Sequence, residues 1–438
     1  MNFRKIRFQW GRFKRHFTRF TWGGAWAAVL PESQRHNLTR FFYDGLFASA
    51  SDKIILTYLS IYLLSLGASR QQVGMLSSLS NLAAALLLLP AAMLVERTGK
   101  RKEITLFAAG GGRLALLLLA LLPMILGQSK AMVWVTLGLA LLREAANNIG
   151  YPGWIALTGD IVPLAGRGRY FGTRNFIMGL SGIITALLIG QVITWIGDPL
   201  GYQVSFFLAV ALGLVSMSFF GSIIDPQHIE TEDDLVQNNI KEIFSSLKGE
   251  TPFIMYCIFT ALWNFSINIA GPFFSVYMVD TLHFTAAMIG VITVSNAISN
   301  LIVQRRIGRL ADRWGNRNLS IIFVLLIPLV PLIWGVWVKT SWQAIAIEIL
   351  SGLAWGAYNL VSFNTLLTKT PEKQRARFSA FYQIVVTLSL GLGAALGSYL
   401  IPIINFKGVT IVSAVGRLLA GFLFILLVKD TAPADSED

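Results

Sequence analysis

Long apolar runs leave this chain almost no way to fold in water. A bilayer core about 30 Å thick is crossed by roughly 20 apolar residues of helix, and twelve runs of that size can be traced. The first six span 40–66, 70–95, 103–127, 131–152, 170–196 and 203–224. After a polar stretch come 252–279, 285–305, 318–338, 342–366, 376–404 and 408–429. With 54% apolar and 13% charged residues among 438, and a mean hydropathy of +0.61, a soluble protein would have too little polar surface. The expected fold class is therefore an all-α membrane protein with twelve transmembrane helices.

The connections between runs repeat. "MLVERTGKRK" from Met93 and "RLADRWGNRN" from Arg309 lie 216 positions apart. Each leaves an apolar run through an acidic-basic pair (Glu96 with Arg97, Asp312 with Arg313) and turns at a glycine (Gly99, Gly315). Each then enters the next run past further cations (Lys100, Arg101 and Lys102; Arg317), which makes a tight, positive connection between membrane helices. At the same offset "SRQQVG", ending at Gly74, matches "TAAMIG", ending at Gly290, with Ser69 and Thr285 as helix N-caps. At offset 208, Pro163, Arg167 and Arg169 answer to Pro371, Arg375 and Arg377, so eight extra residues separate the two motifs in one half. The organisation expected is a basic amphipathic segment (1–38), a six-helix bundle (39–225), a linker (226–250), a second six-helix bundle (251–430) and an acidic tail (431–438).

Cytoplasmic connections carry the Lys and Arg excess. The N-terminal segment, the even-numbered connections and the tail hold 28 of these cations, and the odd-numbered connections only Arg70, Lys130, Lys339 and Lys407. Both termini are expected to be cytoplasmic, in a cell inner membrane. The formal charge of +13 follows from this topology and from anionic lipid, so nucleic-acid binding is excluded despite the basic pI. Four cations, Lys53, Arg113, Arg143 and Arg417, fall inside the runs. Phe3, Ile6, Trp10, Phe13, Phe17 and Phe20 recur at spacings of three and four with cations between them, the pattern of a helix lying on anionic lipid. That segment has neither the continuous apolar core nor the cleavage site of a signal peptide.

One cysteine, Cys257, and four scattered histidines supply no disulfide or metal site, and no phosphate-binding loop is present. No cofactor is expected. No nucleophile, base and orienting residue group together, so an enzyme is not expected either.

Here the residues resemble the major facilitator superfamily of secondary transporters, from about Arg40 to Lys429. "GRLADRWGNR" from Gly308 is similar to that family's charged cytoplasmic signature except at Asn316, while the first copy departs at Ala92 and Glu96. "GDIVPLAGRGRYFG" from Gly159 looks like its connection after the fourth helix. The resemblance implies two six-helix bundles related by a pseudo-twofold repeat that rock about a central site. It also implies that the charged turns close the cytoplasmic side. Glu96, Arg97 and Arg101 with Asp160, and Asp312, Arg313 and Arg317, would then form the gate, alongside Gly99, Lys100, Arg167, Arg169, Gly308, Gly315, Arg375 and Arg377.

A charge deep in the bilayer is costly and is usually retained for a purpose. At 100° per residue from Asp44, the apolar stripe Phe47, Ala50, Ile54 and Ile61 centres near 270° and Asp52 falls about 170° from that expected lipid face. Asp52, beside Lys53, is either a proton carrier or the partner of Arg143 or Arg113 in a structural ion pair. Arg143 and Glu144 project about 100° apart, so each is expected to reach another helix or a ligand rather than its neighbour. Asn147 lies on the same helix, and the 216 offset carries Asp52 to Asn268. Glu348 is expected at an outer gate or against a cationic substrate. Arg113 and Arg417 sit on helices that the resemblance makes peripheral, where a structural role is expected.

Aromatic residues around Trp263, Phe273, Phe274, Tyr277, Trp355 and Tyr358 read better as packing than as a substrate wall. The fifth run has Gly172, Gly179, Gly182 and Gly190 but no proline, unlike drug-proton antiporters, and Pro31-Glu32-Ser33 precedes the first run, unlike sugar porters. The expected function is secondary active transport of a small organic solute, coupled to protons, by a monomer. The alternatives are a lipid-handling or non-transporting relative and a drug efflux pump.

Overall fold

The computed structural model describes residues 19–127, 130–225, 249–370 and 375–428, with the backbone alone at 126, 130, 304, 305, 309, 312 and 375–377. The amphipathic pattern over 1–18, most of the linker and the tail lie outside the described residues, as do the side chains of Asp312, Arg375 and Arg377.

Among the described residues every regular element is helical. The first half holds α1 (Glu32–Ser65), α2 (Arg70–Thr98), α3 (Arg101–Leu126), α4 (Lys130–Ile161), α5 (Arg167–Ile196) and α6 (Leu200–Gly221). The second half holds α7 (Thr251–Ala270), α8 (Phe273–Asp280), α9 (Ala286–Trp314), α10 (Asn316–Leu326), α11 (Leu329–Val336), α12 (Ser341–Lys369) and α13 (Arg375–Leu427). Ten helical segments among the described residues are long and apolar enough to cross a membrane.

Local signals explain most boundaries. Ser69 and Thr285 cap α2 and α9, their hydroxyls accepting from the N–H of Gln72 (3.2 Å) and Met288 (3.3 Å). Gly99 and Gly315 end α2 and α9 at φ +64° and +79°, a region that costs glycine little. Gly271 and Pro272 separate α7 from α8, where the sequence predicts a kink at Pro272, and Pro328 separates α10 from α11, where it predicts one unbroken run. The expected break between the last two runs survives only as Asn405 inside α13, at φ 52°. Its Oδ1 accepts from the N–H of Lys407 at 3.1 Å, so the side chain caps the helix that resumes there.

The chain forms two compact units, residues 1–59 with 86–235, and 60–85 with 236–438. In the first, α1 is tied to its neighbours by hydroxyls that donate to carbonyls: Ser49 to Met178 (2.7 Å), Ser51 to Ala209 (2.7 Å) and Tyr58 to Ala186 (2.6 Å). These bonds turn Ala50, Ile54 and Ile61 into the protein, where they are buried, while Leu56 on the opposite side is 80% exposed. The stripe read as a lipid face is therefore a packing face. Apolar side chains suit lipid and a neighbouring helix equally, so their periodicity cannot tell the two apart.

In the second unit two GxxxG pairs bring helix backbones close. A Cβ on Gly352 or Gly356 of α12 would strike the Asn296 or Asn300 carbonyl of α9, and one on Gly393 or Gly397 of α13 would strike the Phe265 or Ile269 carbonyl of α7. Phe253, Phe259, Trp263 and Tyr358 fill the core beside them. The aromatic residues weighed as a substrate wall pack here: Trp263 lies 5.2 Å from Tyr358 between ring centres, and Phe273 is fully buried.

Candidate functional site

The first unit has an open cavity of about 310 Å³ between α1, α3, α4, α5 and α6. Its charged lining comes from three helices and its neutral polar lining from two more. Asp44 and Asp52 stand two turns apart on α1, Arg113 comes from α3 and Arg174 from α5, with Asn147 on α4 and Ser216 on α6. Tyr151, Trp154, Met178 and Phe220 supply apolar wall.

Asp52 is the junction. Its Oδ1 accepts from Arg143 Nη2 at 2.9 Å and lies 3.6 Å from Arg113 Nη1. The Arg143 side chain is only 4% exposed and that of Asp52 46%, so the carboxylate that lines the cavity is held from behind by a buried arginine. Both structural partners weighed for Asp52 are thus present at once. Arg143 Nη1 also bonds Glu144 Oε1, contrary to the expectation that neighbours in sequence must reach elsewhere. The separation of about 100° holds at Cβ, but a long arginine side chain bends back across it. Gly213 makes the room for Arg113, since a Cβ there would lie 2.2 Å from its Nε. Arg113, expected on a peripheral helix in a structural role, stands against Asp52 and is also part of the cavity wall.

A second pair, with both side chains buried, also lines the cavity. Arg174 Nη2 stands 3.6 Å from Asp44 Oδ2, and Ser216 donates to Asp44 Oδ1 at 2.6 Å. Arg174 Nε donates to the Phe41 carbonyl at 3.1 Å, and the guanidinium stacks 3.9 Å from the Phe41 ring centre. Gly45 leaves the space, because its Cβ would fall 2.5 Å from Arg174 Nη2. Sequence reasoning passed over Asp44, Arg174 and Ser216. Arg174 had been counted with the connection before α5, yet it lies two turns inside that helix and is 3% exposed. Lys53 packs against Gly182 of α5 and has no ion-pair partner among the described residues.

At one end of this unit Arg101, the first residue of α3, bonds Asp160 at the end of α4 and donates from Nη2 to Asp225 Oδ1 at 2.8 Å beyond α6. Lys102 donates to the Ile223 carbonyl at 2.6 Å. Asp225, which the sequence reading did not single out, completes the clamp. Arg167 instead caps α4, its Nη2 donating to the Gly159 carbonyl at 2.7 Å. Glu96, Arg97, Lys100 and Arg169 are exposed.

The other expected residues belong to the second unit. Asn268 donates to the Leu390 carbonyl at 2.8 Å, tying α7 to α13. Glu348 accepts from Trp334 Nε1 at 3.0 Å and Asn296 Nδ2 at 2.6 Å, and has no cationic partner among the described residues. Arg317 donates to the Val428 carbonyl at 2.7 Å and the Ile425 carbonyl at 3.1 Å. Arg313 is exposed and Gly308 lies within α9.

A helical membrane protein with an ionised cavity is the class that this fold and this cavity define. A model of the Major Facilitator Superfamily matches residues 45–269 and 254–438, and the chain belongs to that superfamily. It is a transporter and not an enzyme. Among named relatives, multidrug resistance protein MdtG of Serratia proteamaculans (strain 568) is 24% identical over 87% of this chain and 90% of its own. The solved nucleoside transporter NupG aligns with a TM-score of 0.71 at 13% identity, covering 92% of this chain and 100% of that one. A D-xylose-proton symporter aligns at 0.68 and 14% identity, covering 90% and 97%. These two solved structures bear on the fold alone.

Proposed function

We propose that this chain is a secondary active transporter that moves a small amphiphilic organic solute across the inner membrane by alternating access, coupled to protons. Twelve crossings in two six-helix bundles underlie the reading. The ten apolar segments become twelve when the 50-residue segment Phe378–Leu427 is divided at Asn405 and Lys130–Ile161 is added. Arg143 and Glu144 make that last helix less apolar than its neighbours. The cation excess places both termini in the cytoplasm.

The observation that carries the proposal is Asp52, an accessible carboxylate shared by arginines from two other helices. A proton arriving there neutralises the common acceptor of Arg113 and Arg143, and α3 and α4 lose their shared tie to α1. Such a site has two electrostatic states, which a coupled carrier needs. The aromatic and thioether wall beside it suits an amphiphilic cargo, in keeping with relatives named for multidrug resistance. The fifth run, free of proline, separates this chain from the drug-proton antiporter pattern. Arg101 with Asp160 and Asp225 is the proposed cytoplasmic clamp, joined by the exposed cations of both turns. Glu348, held by neutral donors, is the proposed second acid, with Lys53 and Asn268 as supporting polar groups.

The test is transport into proteoliposomes of the full chain with an imposed proton gradient, using sugars, nucleosides, organic acids and lipophilic cations as cargo. Uphill accumulation of one amphiphilic class is expected, with Asp52→Asn abolishing accumulation but leaving exchange of preloaded solute. Accumulation by Asp52→Asn equal to that of the unaltered chain would overturn the assignment of the proton site.

A further inference from the structure

The segment before α1 builds a second site, away from the charged cavity. Residues 25–29 form a short helical turn whose Ala27 is buried with Leu38, Phe41 and Tyr170. Trp26 fills the space over Gly166, where a Cβ would lie 2.2 Å from its ring. Trp22 Nε1 donates to Thr39 Oγ1 at 2.8 Å. These contacts fix Trp22 beside the first turns of α1.

Between Trp22, that face of α1 and Phe219 of α6 lies a pocket of about 380 Å³, within the range of roughly 300–1,000 Å³ usual for small-molecule sites. Arg35 and Arg40 stand in its wall, the first 5.8 Å from the Trp22 ring centre and the second 5.6 Å from that of Phe219. Among the described residues neither guanidinium has a carboxylate partner, and the buried Arg35 Nε has no acceptor. His36 Nε2 donates to the Ser222 carbonyl at 3.1 Å, which leaves Nδ1 for another partner. Among the described residues, Glu32 is the one acidic residue of the lining. A cationic, aromatic-walled pocket with an orphaned buried N–H calls for an anion with several acceptor oxygens.

We propose that this pocket binds a phosphate ester, gripped by Arg35 and Arg40, with Trp22 and Phe219 packed against its organic part. Two sources offer that chemistry on the side of the membrane marked by the cation excess: the phosphodiester headgroup of an anionic phospholipid and a soluble phosphomonoester.

The experiment compares thermal midpoints of the full chain in nanodiscs of phosphatidylcholine alone, in nanodiscs containing phosphatidylglycerol, and in phosphatidylcholine with millimolar glycerol phosphate. A midpoint raised by phosphatidylglycerol alone identifies the lipid, and one raised equally by glycerol phosphate identifies the soluble ester. In either case the combined variant Arg35→Gln with Arg40→Gln should weaken binding by roughly a hundredfold, at about tenfold for each charge-assisted contact. Arg35→Lys with Arg40→Lys should restore part of it, and Lys339→Gln, an exposed cation elsewhere, should change nothing. Equal midpoints in all three conditions, or stabilisation that survives the double Gln variant with its starting midpoint intact, overturns the proposal. Should the double variant fail to fold, loss of the stabilisation in Arg40→Gln alone supports the site and its retention overturns it.

Discussion

The two charged turns share a backbone but not a chemistry. In each, the glycine N–H donates to the carbonyl four residues back at 2.9 Å, Gly99 to Val95 and Gly315 to Ala311, and the chain starts a new helix at once. The cation that opens each new helix then behaves differently. Arg101 is buried between two carboxylates, while Arg317 caps the last carbonyls of α13. The same contrast runs through the interior. Asp44 and Asp52 are paired with guanidinium groups in the first unit, whereas Glu348 in the second is held by an amide and an indole. Among the described residues, the cation–carboxylate pairs built around a buried side chain thus fall in the first unit, while the second has the more exposed pair of Arg70 with Asp280. The lesson is that scaffold and charge vary independently: the turn needs a positive φ and a small residue, and neither requirement specifies what the neighbouring arginine meets.

The largest expected effect comes from breaking a buried pair. Arg174→Leu leaves the Asp44 carboxylate buried with only Ser216, and breaking such a pair costs about 3–5 kcal/mol, to be read as a fall in thermal midpoint in detergent. An unchanged midpoint would end the view that the first unit depends on its paired charges. The clamp comes next. Arg101→Gln removes charged hydrogen bonds worth roughly 1.5–3 kcal/mol each, and its penalty should shrink as salt screens the partly exposed carboxylates. Arg317→Gln loses carbonyl caps at the lower end of that range, roughly 1.5 kcal/mol each, and should show little response to salt, so equal salt dependence in the two variants would erase the contrast between the turns. The smallest effect belongs to Glu348→Gln, which keeps shape and loses no cationic partner. A change of about 1 kcal/mol or less is expected, while altered proton dependence of transport in the same variant would mark Glu348 as a second proton site.

Much of the scaffold was legible in the residues. Ser69, Thr285, Gly99, Gly315 and Pro272 act locally, so their consequences can be read without knowing what lies nearby. The breaks at Pro328 and Asn405 follow the same local rules and were less visible only because apolar residues continue through them. The site was legible in part. Asp52, Arg143 and Glu144 stand out as charges inside apolar runs, and the partner of Asp52 alone is narrowed to Arg143 or Arg113. Arg174 was missed because it follows Arg167 and Arg169 and reads as one more connection cation, and Asp225 because it adjoins the acidic linker.

The amino-acid sequence by itself determined that the chain lives in a membrane, where most of its helices start and stop, and that its charged turns repeat one pattern. Those properties depend on hydropathy, caps and φ preferences, which act over a few residues. Only the tertiary structure decided which charges meet. Asp52 is 91 positions from Arg143 and Asp44 is 172 from Ser216, and bonds over such separations depend on how each helix is rotated about its axis. Helical periodicity alone left that rotation open, since Ile54 and Ile61 are as content against protein as against lipid. The hydroxyl-to-carbonyl bonds of Ser49, Ser51 and Tyr58 and the space over Gly45 and Gly213 settled it, and with it the side of α1 on which the carboxylates face the cavity.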